Sequence, residues 1–369
     1  MSRLPLRCLA FLGLLATVLA TVPALLAQAT NQPVTHDKII RYVREHYNIP
    51  DSTKITMIEP SETAFPDFLM TTLTVDDGKD KRSEPFYVSK NMRYLIEGDI
   101  FNTQAANQGE ATEKIIHYVR DHYSIPDSTK ITMADLHESI YADFFATMIT
   151  VDDGKEKRAQ PFFISKNMRY LVGGSITNLA GAPPREEIAR VISLEDQPTQ
   201  GPTNAPVTLV EYSDLACPHC ALLQERLETE IVPKYGDKLR VVFKEFPLVT
   251  IHDWVLAGAV AAQCTYQIDP SQYAAFRSVV FKNQEVVNRE NARDMLLHFG
   301  AEAGVDNMKL AACIDSRASL SRVEANMLEG EALGISETPT SFINGRVIIG
   351  AQPAAEFYKV IDEAMQDTK

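Results

Sequence analysis

Val207-Thr208-Leu209-Val210-Glu211-Tyr212-Ser213-Asp214-Leu215-Ala216-Cys217-Pro218-His219-Cys220 decides the reading of the C-terminal half. Apart from Glu211, its first six residues are β-branched or apolar, as in a buried strand. Ser213 to Ala216 turns, and Cys217-Pro218-His219-Cys220 opens a helix expected to run towards Ile231, before Pro233. Cys217 then sits at a helix start, where unpaired backbone N–H groups and the helix dipole favour thiolate. Pro218 takes a first-turn position, where its missing N–H costs nothing. His219, when protonated, adds a second stabilising charge. In such settings a thiol pKa falls from ~8.5 into the range of roughly 3.5–7.5. Cys220, one turn on, is placed to attack a mixed disulfide and release the substrate.

The competing reading of Cys-x-x-Cys is half of a zinc site. Such a site needs four ligands, commonly two pairs. No second Cys-x-x-Cys exists, so neither a metal nor a cofactor is expected beyond the redox-active disulfide. Further along, Asp253 to Cys264 is Ala-rich with apolar residues at helical spacing. Tyr273, Phe276 and Val280 continue the pattern, and Met295, Leu296 and Phe299 give a third helix. Met308 to Leu333 supplies more helix before strands at Ser341 to Gly350 and a closing helix at Glu356 to Met365. Trp254 reads as core.

The N-terminal half is a duplication. Lys38-Ile39-Ile40-Arg41-Tyr42-Val43-Arg44 returns 76 positions on, without a gap, as Lys114-Ile115-Ile116-His117-Tyr118-Val119-Arg120. Thr74-Val75-Asp76-Asp77-Gly78-Lys79 returns as Thr150-Val151-Asp152-Asp153-Gly154-Lys155, and Ser89 to Leu95 as Ser165 to Leu171. Each copy reads as a small α+β module. Ile39, Ile40, Val43 and Tyr47 share a helical face that ends at Ile49-Pro50. Phe68 to Val75, Pro85 to Val88 and Tyr94-Leu95-Ile96 read as strands, with Asp76-Asp77-Gly78 as a turn. So short a unit buries little surface alone, and pairing of the copies, or of chains, is expected. Neither copy holds a cysteine, and His46 and His122 sit singly, as solvated or packed residues. Binding or assembly is therefore their expected role.

Between Leu179 and Pro206 the texture turns to proline and glycine, with a short helix expected at Arg185 to Val191. Residues 1–29 read as a secretory signal: Arg3 and Arg7, an apolar run from Leu9 to Ala20, then Ala27-Gln28-Ala29 as a cleavage pattern. The expected division is 1–29 signal, 35–103 and 111–179 repeat modules, 180–205 linker, and 206–369 redox domain with a helical insertion at 252–333. The chain of 369 residues carries a formal charge of −13, which speaks against a nucleic-acid partner. Cleavage would remove Cys8 and leave Cys217, Cys220, Cys264 and Cys313 in an oxidising compartment, periplasmic or extracellular.

From Val207 to Met365 the chain resembles the DsbA-type thiol oxidoreductases. The matching pieces are Glu211 to Asp214, the Cys-Pro-His-Cys run, Phe246-Pro247-Leu248 followed by His252, Ala261 to Cys264, Cys313 to Ser316, and Gly334 to Gly345 with Thr338-Pro339 inside it. The resemblance implies an α/β thioredoxin fold with a helical insertion. It implies that Pro339 is a cis-proline facing the active site, with the Thr338 backbone exposed to pair with substrate chain. It also implies that Glu211 lies beneath the redox pair, where it can exchange protons with Cys220, and that Lys244 is a partner for Glu211. Phe86 to Ile100 is similar to the end of the N-terminal dimerisation module of DsbC-type isomerases, here doubled. A homodimer through the repeats is one expectation from that similarity. Cys264 and Cys313 either form a structural disulfide pinning the insertion or stand as two buried thiols; the first is expected, since both fall on apolar helices and the other pair must cycle.

Three functions compete. One is a disulfide donor to exported proteins with cysteine pairs. Another is an isomerase or reductase kept reduced by a membrane electron donor, with the repeats for assembly; a membrane redox partner is expected. The last is a non-catalytic, chaperone-like binding protein. His219 favours the first, the repeats the second, and a reactive pair at a helix start counts against the third.

Overall fold

The computed structural model describes residues 36–47, 49–154, 157–181 and 183–367. The expected signal segment 1–29 lies outside the described residues. The chain forms two compact units. One gathers the residues to Thr132 with Val151–Arg158 and Met168–Ala182; the other gathers Met133–Thr150, Ala159–Asn167 and Pro183–Lys369. This division differs from the expected module bounds, because residues 133–150 and 159–167 of the second copy fall with the redox half.

The two copies repeat one element order, a helix followed by five strands. The first has α1 (His36–His46), β1 (Lys54–Met57), β2 (Ser61–Glu62), β3 (Phe68–Asp76), β4 (Lys81–Ser89) and β5 (Tyr94–Asn102). The second has α2 (Gln108–His122), β6 (Lys130–Met133), β7 (His137–Glu138), β8 (Phe144–Asp152), β9 (Lys157–Ser165) and β10 (Tyr170–Asn178). The region is thus richer in sheet than the modules read from sequence, with β1 and β2 added and β5 longer. Ile39 and Val43, one helical turn apart on α1, are buried against Ile55, Leu73, Phe86 and Leu95. Arg44 closes the helix-to-strand turn by donating to the carbonyls of Pro50 and Thr53, and Arg120 does the same to Pro126 and Thr129.

Within the first unit, β1, β3, β4 and β5 are successive antiparallel neighbours, and β5 pairs antiparallel with β10 of the second copy. Pairing of the copies therefore takes place inside one chain. The register centres on Gly98 opposite Gly174. Both have positive φ, +127° and +147°, and a Cβ on either would lie 2.2 Å or less from a carbonyl oxygen of the facing strand. Only glycine fits there.

The second unit carries α3 (Arg185–Val191), β11 (Thr199–Gln200), β12 (Val207–Ser213), α4 (Pro218–Arg226), α5 (Val232–Tyr235) and β13 (Leu239–Glu245). It continues with α6 (Val255–Ile268), α7 (Tyr273–Asn283), α8 (Ala292–Glu302), α9 (Asn307–Ser316), α10 (Leu320–Ala332), β14 (Thr340–Ile343), β15 (Arg346–Ile349) and α11 (Ala354–Asp367). The sheet order is β11-β13-β12-β14-β15. β12 and β13 are parallel, as the α4 crossover requires, and β14 and β15 are antiparallel to their neighbours. The expected linker contributes β11 as an edge strand on β13. The helix that starts at Pro218 runs past Pro233 to Tyr235, contrary to expectation, because a π turn at Leu227–Ile231 loosens the hydrogen-bond ladder ahead of the proline. α6 to α10 fall within the expected insertion at 252–333, and a disulfide between Cys264 and Cys313 joins α6 to α9. Trp254 is buried, with its ring against Gly258.

Candidate active site

β12 ends where the strand turns into α4, and Cys217 is the N-cap residue, extended at φ −82°, ψ 121°. The amide of Cys217 donates to Asp214 O at 3.1 Å, which closes the turn. Pro218 and His219 lie exposed at the helix start, whereas Cys217 is 7% exposed and Cys220 fully buried. The two cysteines therefore differ in kind. The Cys217 thiol is pulled down to about 6, chiefly by a hydrogen bond from the Cys220 side chain, against the opposing effect of burial. The main-chain N–H groups of Cys220 and His219 and a contact with Thr338 add to it. His219 thus acts on the sulfur through its main-chain N–H. Burial pushes the Cys220 thiol well up, reinforced by Cys217 and by the carboxylate of Glu211, while the Ser213 hydroxyl works against the rise. One thiol is thus held towards the thiolate and the other towards the protonated form.

The Thr338–Pro339 peptide is cis, and the Cys217 thiol lies 3.5 Å from Thr338 O. The loop ahead of β14 is therefore brought against the Cys217 sulfur. Beneath the pair, the parallel register of β12 on β13 sorts the charges onto two faces. Glu211 faces across to Phe243, Ser213 to Glu245, and Tyr212 to Lys244. Successive residues of a strand point to opposite faces, so Lys244 cannot share a side with Glu211. The expected Glu211–Lys244 pair is accordingly absent. Lys244 Nζ lies 2.5 Å from Glu329 Oε1, on the face where Tyr212 OH also donates to Glu329. Glu211 instead accepts from Arg277 Nη2 of α7, 2.9 Å from both carboxylate oxygens, and the same nitrogen donates to Ser213 Oγ at 3.0 Å. All three side chains are fully buried.

Three further groups were missed by sequence reasoning. Arg277 lies on α7 beside the apolar Tyr273, Phe276 and Val280 and was not singled out in the sequence. Glu245 is wholly buried at the end of β13, accepts from Tyr273 OH at 2.7 Å, and is pushed up to about 7 by burial, against the lowering effect of Arg277. Asp214 is also fully buried. It accepts from the amides of Ala216 and Leu248 and sits 3.0 Å from His252 Nδ1, and its own amide donates to Cys220 Sγ at 3.4 Å. Asp214 and His252 stood among the pieces of the resemblance, but only the folded turn shows that they meet.

Residues 193–363 match the family model described as Thioredoxin. The chain is 30% identical over 170 residues to the Na(+)/H(+) antiporter NhaA of Herminiimonas arsenicoxydans, 46% of this chain and 26% of that protein. It is 25% identical over 176 residues to Disulfide bond formation protein D of Bacillus subtilis, 47% of this chain and 79% of that one. The chain thus spans about a quarter of the length of the antiporter. Among solved structures, BdbD from Bacillus subtilis (oxidised) is similar at TM-score 0.43 and 22% identity, covering 47% of this chain and 95% of that one. Wolbachia pipientis alpha-DsbA1 is similar at TM-score 0.44 and 24% identity, covering 49% and 96%.

Proposed function

We propose that this thioredoxin-like domain is a thiol–disulfide oxidoreductase that passes the Cys217–Cys220 disulfide to cysteine pairs of other proteins. The observation that carries the reading is the asymmetry of the pair: Cys217 pulled down to about 6 at the surface edge, Cys220 pushed up in the core. A substrate thiolate attacks Cys217 Sγ and breaks the Cys217–Cys220 bond, and the Cys220 sulfur leaves with the electron pair and takes a proton. The second substrate thiolate then attacks the substrate sulfur of the mixed disulfide, and Cys217 leaves as thiolate. The substrate is oxidised by two electrons and the pair is reduced by two. A leaving thiol of low pKa departs faster, and stabilising the reduced form makes the disulfide oxidising. Glu211 exchanges the Cys220 proton, the Thr338 backbone pairs with the substrate chain, and the disulfide is the sole electron carrier.

In this reading the chain is exported, works in the periplasm or outside the cell on proteins with cysteine pairs, and is recharged by a membrane redox partner. Among the described residues no helix is long and apolar enough to cross a membrane. The name of the curated relative Disulfide bond formation protein D agrees with the direction of transfer proposed here. The test is oxidation of a reduced, unfolded protein by the stoichiometric disulfide form, followed by free-thiol titration. Substrate thiols should disappear as Cys217 and Cys220 become alkylatable, two for two. Unchanged substrate thiols would end the proposal.

A further inference from the structure

The second copy of the repeat reaches the loop that carries Thr338 and Pro339. The amide of Ile140 donates to Ala332 O, the last residue of α10, at 3.0 Å. Two residues on, Gly334 turns at φ +70°, and a Cβ there would lie 2.5 Å from Tyr141 Oη and 3.5 Å from Ile140 Cδ1. Ile140 and Tyr141 are both buried, and Tyr141 is set edge-on against Phe163 at 5.3 Å. From Gly334 the chain takes four residues to reach Thr338, whose carbonyl lies 3.5 Å from the Cys217 thiol. Between them Ile335 is buried while Ser336 and Glu337 are exposed, so the start of the loop is clamped and its crest is presented to solvent. The clamp falls where the two copies part company. Ile140-Tyr141-Ala142 stands where the first copy, 76 positions earlier, has Ala64-Phe65-Pro66.

We propose that Ile140 and Tyr141 are positioning residues for the Gly334–Pro339 loop, so that the second repeat tunes how a protein substrate is seated at Cys217. The inference rests on the exchange reading above. Cys217 is nearly enclosed, so an incoming chain must lie along the loop, whereas a small thiol needs only the sulfur. Pre-ordering that loop lowers the cost of seating the larger substrate.

The experiment compares full-length wild type, Tyr141→Ala and Tyr141→Phe, the last being the ring that the first copy carries at Phe65. Exchange is followed with glutathione and with a reduced peptide holding two cysteines, and backbone amide exchange is followed across residues 333–338. Tyr141→Ala should raise KM for the peptide by about tenfold, leave kcat and the glutathione rate within about twofold, and lose amide protection in the loop. Tyr141→Phe should restore both peptide KM and protection. Unchanged protection and peptide KM in Tyr141→Ala would overturn the inference. A parallel loss with both thiol substrates would also overturn it, by showing damage to the redox centre itself. If wild type reacts with neither thiol, the exchange reading fails, and loop protection still decides whether Tyr141 orders the loop.

Discussion

Replacing Cys220 by alanine removes the side-chain donor that contributes most to the low pKa of Cys217. The whole displacement runs from 9.0 to about 6. A hydrogen bond to a charged group contributes about 1.5–3 kcal/mol, and one pKa unit corresponds to about 1.4 kcal/mol. The Cys220 thiol thus accounts for roughly one to two units, and Cys220→Ala should bring Cys217 to about 7–8. Cys220→Ser keeps an O–H donor and should lie nearer the wild-type value. His219→Ala keeps the backbone N–H and should move it less than Cys220→Ala does. The sign follows from the depressed value. Between about 6 and 9 the unfolded chain holds more protons at this sulfur. The stabilisation of the reduced protein is full above the upper value and is lost as pH falls through the lower one. At pH 7 it is about 1.4 kcal/mol, or about 30 mV in the two-electron potential. Thiolate ultraviolet absorbance against pH, checked by the pH dependence of alkylation, reads the value directly. A Cys220→Ala protein still titrating at the wild-type pKa, or a larger rise in His219→Ala, would refute the hydrogen-bond origin of the shift.

Changing both Cys264 and Cys313 to Ala opens a bridge spanning 49 residues, and thermal or denaturant unfolding should show a loss of about 4 kcal/mol with the Cys217–Cys220 potential unmoved. Arg277→Met leaves the buried Glu211 carboxylate without its partner and should cost about 3–5 kcal/mol, measured by urea unfolding. Burial raises Glu245 from 4.5 to about 7, so stability should fall as pH rises through that window, by up to about 3 kcal/mol. Glu245→Gln should flatten that part of the pH–stability curve, and an unchanged slope would count against the assignment. Gly98→Ala places a methyl group into the facing strand and should destabilise by about 1–3 kcal/mol in the same unfolding assay, with no effect on the thiol pKa values.

The redox half was legible because its signals are local. The apolar and β-branched run Val207 to Tyr212 marks β12, proline at the second position of Cys-Pro-His-Cys marks the start of α4, and the apolar spacing of Tyr273, Phe276 and Val280 marks α7. What stayed hidden depends on register. Glu211 and Lys244 are both strand residues of suitable charge, and only the pairing of Tyr212 with Lys244 shows that they face opposite ways. Arg277 carries no local mark of burial, since its partners Glu211 and Ser213 come from another element, β12. In the repeats, only Tyr94-Leu95-Ile96 of β5 reads as a strand from the sequence. The strand continues, since Gly98 meets Gly174 across the two copies and the close approach excludes a side chain. The Thr199-Gln200 edge strand was likewise masked by the prolines and glycine around it.

The central claim, that Cys217 and Cys220 form an oxidising pair worked through Cys217, is tested most directly by equilibrating the full chain against glutathione buffers at neutral pH and trapping the products. The expected result is a single two-electron transition at an oxidising potential, above about −200 mV, with Cys220→Ala caught as a glutathione mixed disulfide at Cys217. A potential near the thioredoxin value of about −270 mV, or a mixed disulfide that never forms, would contradict it.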